Sequence, residues 1–327
     1  MIKNLVLSSG SIKGLSFIGA YKVLESNNLL NNVENVLSSS IGTVFGLCLC
    51  LGFTSEELDN IFKSIDLNLF NDINYEDLLG FLKYYGVYTC EKLIKILKAF
   101  IKAKMKQEDC TFKELYQYSN KNLIINSVCL NEQKLYNFSY LNYPDLSVLT
   151  AIEMSTAIPW LIRPILFEDK LFVDGALMNG YPINYFKDEL DETLGIVLLE
   201  EGYQNKQLIN NLEQYSLSIV MCQTMHQKKK MYQKYKDYTI LVCVDDNNIN
   251  KFDINKETIN TVINAGYNCT ENHLKDNFFD KYKKQNDSKS NPDTDIDTDI
   301  DIKGNANESE EINKDLNKDI NKFLNKD

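Results

Sequence analysis

The chain has 327 residues, 44% of them hydrophobic and 25% charged, and a formal net charge of −11. That apolar fraction supplies a sizeable core and excludes disorder over most of the length. The acidic balance, 46 Asp and Glu against 35 Lys and Arg, argues against a dedicated nucleic-acid binder, which needs a basic footprint.

In chain order, Leu5–Leu7 predicts a strand, followed by a helix over Gly14–Glu25 with Leu15, Ile18, Tyr21, Val23 and Leu24 facing inward. Val33–Leu37 predicts a second strand and Ile41–Leu51 a buried helix. Thr54 with Glu57, and Thr111 with Glu114, have the spacing of capping boxes that open helices. Between them, Glu56–Lys106 is helical in period almost throughout, so residues 54–110 read as a helical insertion or cap rather than a separate domain. Leu123–Cys129 predicts a strand with Leu135–Tyr140 as its hairpin partner; Leu171–Val173 and Gly195–Leu199 predict two more. Strand and helix alternating in this way predict an α/β fold with a sheet covered on both faces.

Composition breaks near Lys284. Residues 285–327 hold twelve acids, six lysines and one aromatic, a net of −6 that leaves −5 for residues 1–284. Such a segment buries too little apolar surface to offset its ordering entropy, so we expect a disordered acidic tail. Within it, Asp299–Glu310 has the outline of an EF-hand calcium loop, but Lys303 stands where an oxygen ligand belongs and no amphipathic helix precedes it. The longest apolar stretch, Ile41–Phe53, is short of the roughly 20 residues that span a bilayer, and Met1–Leu7 lacks a signal-peptide apolar region. The eight cysteines, several inside apolar runs (Cys48, Cys50, Cys129, Cys222), read as buried free thiols of a reducing compartment. Together these lead us to expect a cytoplasmic protein, with room for peripheral contact at membranes.

Three clusters are candidates for chemistry. Ser8-Ser9-Gly10-Ser11-Ile12-Lys13-Gly14 places small residues between a strand and a helix, where backbone N–H groups can meet an anion or oxyanion. Ser38-Ser39-Ser40-Ile41-Gly42 does the same after the second strand. With Ser38 two before Ser40 and Gly42 two after it, the motif fits a nucleophile elbow, whose crowded turn needs small flanking residues. Ser40 as a plain helix N-cap explains the same residues. Asp174-Gly175 closes an apolar strand, where α/β sites form, but Asp-Gly is also an ordinary turn.

In combination these residues resemble the patatin-like phospholipases, lipid acyl hydrolases with a Ser–Asp dyad. Ser9-Gly-Ser-Ile-Lys-Gly14 is similar to the family's glycine-rich oxyanion loop, Ser40 to its nucleophile and Asp174-Gly175 to its Asp-Gly. Thr111–Leu115, Tyr143–Asp145, Ala151–Pro159, Asn179–Pro182 and Ile263–Tyr267 agree in order and spacing, so the likeness runs over roughly residues 1–275. The resemblance implies a three-layer sandwich, a mostly parallel central sheet with helices on both faces, over residues 1–284. It further implies that Ser40 attacks an ester carbonyl to give an acyl-enzyme, and that Asp174 takes its proton and later activates water. N–H groups around Gly10–Ile12 would hold the oxyanion, with Lys13 near that loop. The implied substrate is a glycerophospholipid or lysophospholipid, with no metal or diffusible cofactor, no nucleic acid, and room for an activating protein partner.

Ser9, Ser11 and Ser38 stand where the family has glycine. They keep alive a second class of function, a catalytically silent protein of the same fold that binds lipid or a partner. The order Ser40–Asp174–His226 would also satisfy a hydrolase triad, but His226 opens a lysine-rich run, Gln227–Lys236, that reads as an exposed helix, and His273 lies in a late polar helix. That run reads as a solvated face in preference to a cationic surface for anionic membrane. Leu78, Leu82, Leu93, Ile96, Leu97 and Phe100 are expected to pack in the core rather than form a lipid-facing lid.

Overall fold

The computed structural model describes residues 1–66, 81, 83–199, 209–210, 212–244 and 254–275. Ten strands are described: β1 (Asn4–Leu7), β2 (Asn35–Ser38), β3 (Gly86–Tyr88), β4 (Asn122–Cys129), β5 (Lys134–Phe138), β6 (Trp160–Ile162), β7 (Ile165–Phe167), β8 (Lys170–Asp174), β9 (Thr193–Leu199) and β10 (Thr239–Cys243). The helices are α1 (Ser16–Ser26), α2 (Ile41–Cys50), α3 (Ser55–Ser64), α4 (Glu91–Met105), α5 (Phe112–Ser119), α6 (Val148–Thr156), α7 (Ala176–Asn179), α8 (Leu212–Tyr235) and α9 (Lys256–His273), with a 3-10 turn at Ser11–Leu15 leading into α1.

Parallel pairing runs β10–β9–β1–β2–β4; β4 then pairs antiparallel with β5 and with β8, and β8 with β7. The register of β4 is what builds the site. Ile125 pairs with both Ser38 and Phe138, and Ser127 with both Asp174 and Tyr136. β5 therefore fills one edge of β4, while β2 and β8 share the other. β2 runs parallel and ends at Ser38; β8 runs antiparallel and ends at Asp174. The C-terminal ends of the two strands meet head to head across the position of Asn126.

Alternation along the strands divides the core in two. Leu5, Leu7, Val36, Leu123, Ile125, Ile196 and Leu198 face the larger cluster, covered by α1–α6 and α9. Val6, Leu37, Ile124, Val197 and Leu199 face the smaller one, closed by α8 and by Tyr181, Ile183 and Phe186. This is the expected three-layer α/β sandwich. In the larger cluster, rings of α1 to α4 touch in series: Phe17–Phe45 at 5.5 Å, Phe45–Phe62 at 5.5 Å and Phe62–Phe100 at 6.2 Å between centroids. Each such pair adds about 0.5–1.5 kcal/mol beyond its burial. Ile96, Leu97 and Phe100 are core residues as expected and Leu93 packs against them; Leu78 and Leu82 lie outside the described residues.

Both capping boxes form, with Thr54 and Glu57 bonded reciprocally and Thr111 and Glu114 likewise. The β4–β5 hairpin is also as predicted. Within the stretch read as helical, Gly86–Tyr88 is instead a strand, held by parallel pairing with β6. β6, β7 and β10 have no counterpart among the predicted strands; β6 and β7 are three residues each, too short to show alternation. The cysteines are all free, with Cys48, Cys50, Cys90, Cys110 and Cys129 buried. Cys222, expected inside, is exposed, because it falls on the outer side of α8. The tail and its Asp299–Glu310 stretch lie outside the described residues.

Candidate active site

Ser40 occupies the N-cap position of α2, but its side chain does not cap the helix. Its Oγ donates instead to Asp174 Oδ2 at 2.6 Å. The backbone there has φ 53° and ψ −128°, a conformation that costs an L-residue about 1–3 kcal/mol and persists only where surrounding bonds impose it. Those bonds are present. Ser39 N–H donates to Leu7 C=O at 3.2 Å, Gly42 N–H to Ser39 C=O at 3.0 Å, and Ser40 N–H to Ser155 Oγ at 2.9 Å. Thr43 Oγ1 donates back to Ser40 C=O at 2.6 Å. Gly42 lies so close to β1 that a Cβ would stand 2.8 Å from Ser8 O and 2.9 Å from Leu7 O, which excludes any larger residue.

Asp174 ends β8, and both of its carboxylate oxygens are used: Oδ2 accepts from Ser40, and Oδ1 from Ala176 N–H at 2.8 Å. Its own N–H donates to Ala157 C=O at 2.9 Å. Gly175 must be glycine because a Cβ would stand 2.1 Å from Asn126 Oδ1, the residue at the gap between β2 and β8. Asp174 is 4% exposed and Ser40 7%. Burial pushes the Asp174 carboxyl up to about 6, against the Ser40 and Ala176 hydrogen bonds and the Lys228 cation, which all favour the charged form. A carboxylate poised there, holding a serine hydroxyl proton, is matched to proton transfer near neutrality.

The turn after β1 has a different arrangement. Ser8 N–H donates to Ile196 C=O and Ser9 N–H to Gly180 C=O. The N–H groups of Gly10, Ser11 and Ile12 have no acceptor among the described residues, and the next donor, Lys13 N–H, returns to Gly10 C=O at 3.1 Å. Three successive open N–H groups at a helix entrance are donors that an anion could accept from. Ser11 has φ 50°, the left-handed region; Ser9 and Ser38 do not. Lys13 and Gly14 are buried behind the turn. The Ser9, Ser38 and Ser39 hydroxyls are buried with no hydrogen-bond partner among the described residues.

The structure thus brings Ser40 and Asp174 into contact, sets Ser38, Gly42 and Gly175 where close approach requires small residues, and lays Ser9–Gly14 alongside. Neither histidine is a hydrogen-bond partner of Ser40 or Asp174. His226 is exposed on α8 and His273 ends α9. Among the described residues, no group of three or more His, Cys, Asp or Glu could hold a metal ion.

Two contributors escaped the sequence reading. Ser155 on α6 holds the Ser40 N–H; it sits in a stretch read only as family-like. Lys228 is 3% exposed, not part of a solvated face, and its Nζ donates to Ser9 C=O at 3.1 Å and Leu198 C=O at 2.9 Å. Its place was legible: Met221, Thr224, Met225, Lys228, Met231, Tyr232 and Tyr235 follow the i, i+3, i+4, i+7 spacing of an inward stripe, with a lysine at its centre. Lys229, Lys230 and Lys234 are exposed, as expected of that run, whereas Met231, Tyr232 and Tyr235 pack on the smaller core.

Comparison with known proteins gives the family and the fold. The chain is 31% identical over 255 residues to an uncharacterized protein of Acanthamoeba polyphaga mimivirus, covering 75% of this chain and 84% of that one. It is 28% identical over 192 residues to a protein of Invertebrate iridescent virus 6 named as a probable lipid hydrolase, covering 56% of this chain and 62% of that one. Its fold is similar to that of VipD from Legionella pneumophila, with a TM-score of 0.60 at 13% identity over 84% of this chain and 67% of that one. Residues 5–187, which include the turn after β1, Ser40 and Asp174, match the patatin-like phospholipase family, and the chain belongs to that family.

Proposed function

We propose that the chain is a lipid acyl hydrolase of phospholipase A or lysophospholipase type that works through a Ser40–Asp174 dyad and a covalent acyl-enzyme. The observation that carries this reading is the 2.6 Å hydrogen bond from Ser40 Oγ to a buried Asp174, with Ser40 held at φ 53°. A helix-capping serine has no need of that conformation or that partner. Family membership and the lipid-hydrolase name of the iridescent-virus relative support the substrate class.

In the acylation step Ser40 Oγ bonds to the ester carbonyl carbon as its proton passes to Asp174, and the carbonyl electron pair moves onto oxygen. The open N–H groups of Gly10, Ser11 and Ile12 receive that oxyanion. Collapse breaks the bond to the alcohol oxygen, which leaves with the proton from Asp174. Water then gives a proton to Asp174 and attacks the acyl-serine; collapse breaks the acyl–Oγ bond, Asp174 returns the proton to Ser40 Oγ, and the fatty acid leaves. The dyad uses no histidine and no metal.

The glycerophospholipid or lysophospholipid reading also draws on exposed apolar residues. Trp160 on β6, Met178 on α7, and Tyr215 and Ile219 on α8 are exposed, and α8 packs against both β6 and α7. Such a rim suits peripheral contact with a lipid surface. Among the described residues no helix is long and apolar enough to cross a membrane.

The test is release of fatty acid from mixed phospholipid and lysophospholipid vesicles by wild type and Ser40→Ala. Release by wild type and none by the variant supports the reading. Equal release, or none from either with cell lysate added, contradicts it and favours the silent lipid- or partner-binding protein.

A further inference from the structure

Lys228 lies outside residues 5–187, which match the family, yet it is among the most buried charged side chains described. A lysine is almost never buried to this degree unless its ammonium is paired. Its Nζ reaches two backbone carbonyls, Ser9 C=O at 3.1 Å and Leu198 C=O at 2.9 Å, from the far side of the sheet. Ser9 C=O has a second donor, Ser8 Oγ at 3.0 Å, and Ser8 Oγ is itself fixed by Leu198 N–H at 2.8 Å. Ser9 N–H is taken by Gly180 C=O at 2.8 Å. The Ser9 carbonyl is therefore held by two donors whose own positions are set by β9 and α8.

That carbonyl shares a peptide plane with Gly10 N–H. All peptide bonds described are trans, and in a trans peptide the C=O and N–H point in opposite directions. Fixing Ser9 C=O toward Lys228 turns Gly10 N–H the other way, where no described residue accepts it. The next plane is fixed similarly, because Gly10 C=O accepts from Lys13 N–H and so directs Ser11 N–H. A cation on the carbonyl also polarises the peptide and strengthens its N–H as a donor.

We infer that Lys228 is a positioning residue for the oxyanion site: with Ser8 it clamps the Ser9 carbonyl so that Gly10 N–H is aimed and polarised for a developing oxyanion. This rests on the hydrolase reading above. Lys228 is no hydrogen-bond partner of Ser40; beside the pull of its charge on Asp174, it acts through the peptide between Ser9 and Gly10.

The test compares wild type, Lys228→Met, Lys228→Arg, Ser8→Ala and Ser40→Ala on a short-chain p-nitrophenyl ester and its thionoester. Because loss of the Lys228 cation also moves the Asp174 carboxyl upward, each variant is followed from about pH 6 to 9 and the plateau rates are compared. Sulfur accepts hydrogen bonds poorly, so an oxyanion site favours the oxygen ester. Lys228→Met is expected to lower kcat on the oxygen ester about 10- to 100-fold, less than the roughly 100- to 1,000-fold of outright donor loss because the Gly10 N–H remains, with KM within about twofold. The oxygen-to-thiono rate ratio falls with it. Lys228→Arg restores part of the ratio, and Ser8→Ala lowers it less than Lys228→Met. Equal loss on both esters, or unchanged kcat, overturns the inference. If Lys228→Met fails to fold by circular dichroism, Lys228→Arg and Ser8→Ala decide, and an unchanged ratio in both overturns it. Hydrolysis by wild type no faster than by Ser40→Ala removes the hydrolase reading itself, and this inference with it.

Discussion

The turns after β1 and β2 start from similar sequences, Ser8-Ser-Gly-Ser-Ile and Ser38-Ser-Ser-Ile-Gly, and reach opposite results. After β2 the backbone of Ser39, Ser40 and Gly42 is tied to Leu7, Ser155 and Ser39, and what is presented is a side chain, Ser40 Oγ. After β1 the carbonyl side is tied, by Lys228 and Ser8, and what is presented is a row of backbone N–H groups. Small residues are needed in both, but for different reasons: close approach to β1 at Gly42, and a left-handed backbone at Ser11. The family's glycines are therefore not equivalent, and replacing them with serine has different costs at different positions.

The comparison breaks most severely where the side chain of the second turn is removed. Ser40→Ala and Asp174→Ala should each lower kcat on a lipid ester by about 10⁴-fold or more, and the double variant should be no worse than either single, as for groups acting as a unit. Additive losses would show that the two act separately. Burial of Asp174 gives the next largest effect. Its folded value of about 6 lies above the ordinary 3.8, so kcat/KM should rise with pH through about 6 as the base ionises. Stability should move the other way. The contribution is fully present below the ordinary value and is lost as pH rises through about 6, a change of about 3 kcal/mol. Asp174→Asn, neutral throughout, should lack that loss in denaturant titrations at pH 4 and pH 8.

Ser155→Ala leaves the Ser40 N–H without its acceptor in a buried site, a loss of about 1–3 kcal/mol by urea unfolding. It should also lower kcat by relaxing the strained turn. Activity equal to wild type would show that Ser155 does not hold Ser40. Ser11→Gly acts in the opposite direction: relief of the left-handed strain should stabilise the protein by about 1 kcal/mol. Ser9→Gly and Ser38→Gly, at φ values outside that region, should give no such gain. His226→Gln should leave hydrolysis unchanged; its loss in a folded variant would restore a triad.

Ser40, Asp174 and the turn after β1 were legible because each depends on local sequence, small residues at a strand-to-helix corner and an acid closing a strand. Their meeting was legible only through family resemblance. It arises from β2 and β8 sharing one edge of β4: Ser38 pairs with Ile125 and Asp174 with Ser127, and such long-range pairing leaves no trace in local periodicity. Whether Ser40 caps its helix or contacts an acid could not be separated by motif alone, since the two share the N-cap position. Lys228 was misread for a different reason. Three of the four lysines among Lys228, Lys229, Lys230 and Lys234 are solvated, and charge count hid the one that falls on the apolar stripe of α8. The short strands β6 and β7 form because β3 and β8, respectively, offer them partners, so their own residues carry little signal.

The central claim is that Ser40 is an activated serine, and covalent labelling with a fluorophosphonate probe tests it most directly. Wild type, Ser40→Ala and Asp174→Ala are labelled side by side and mapped by peptide mass spectrometry. The dyad predicts label on Ser40 in wild type and none in either variant. Label on another residue, or label on Ser40 that persists in Asp174→Ala, would contradict it.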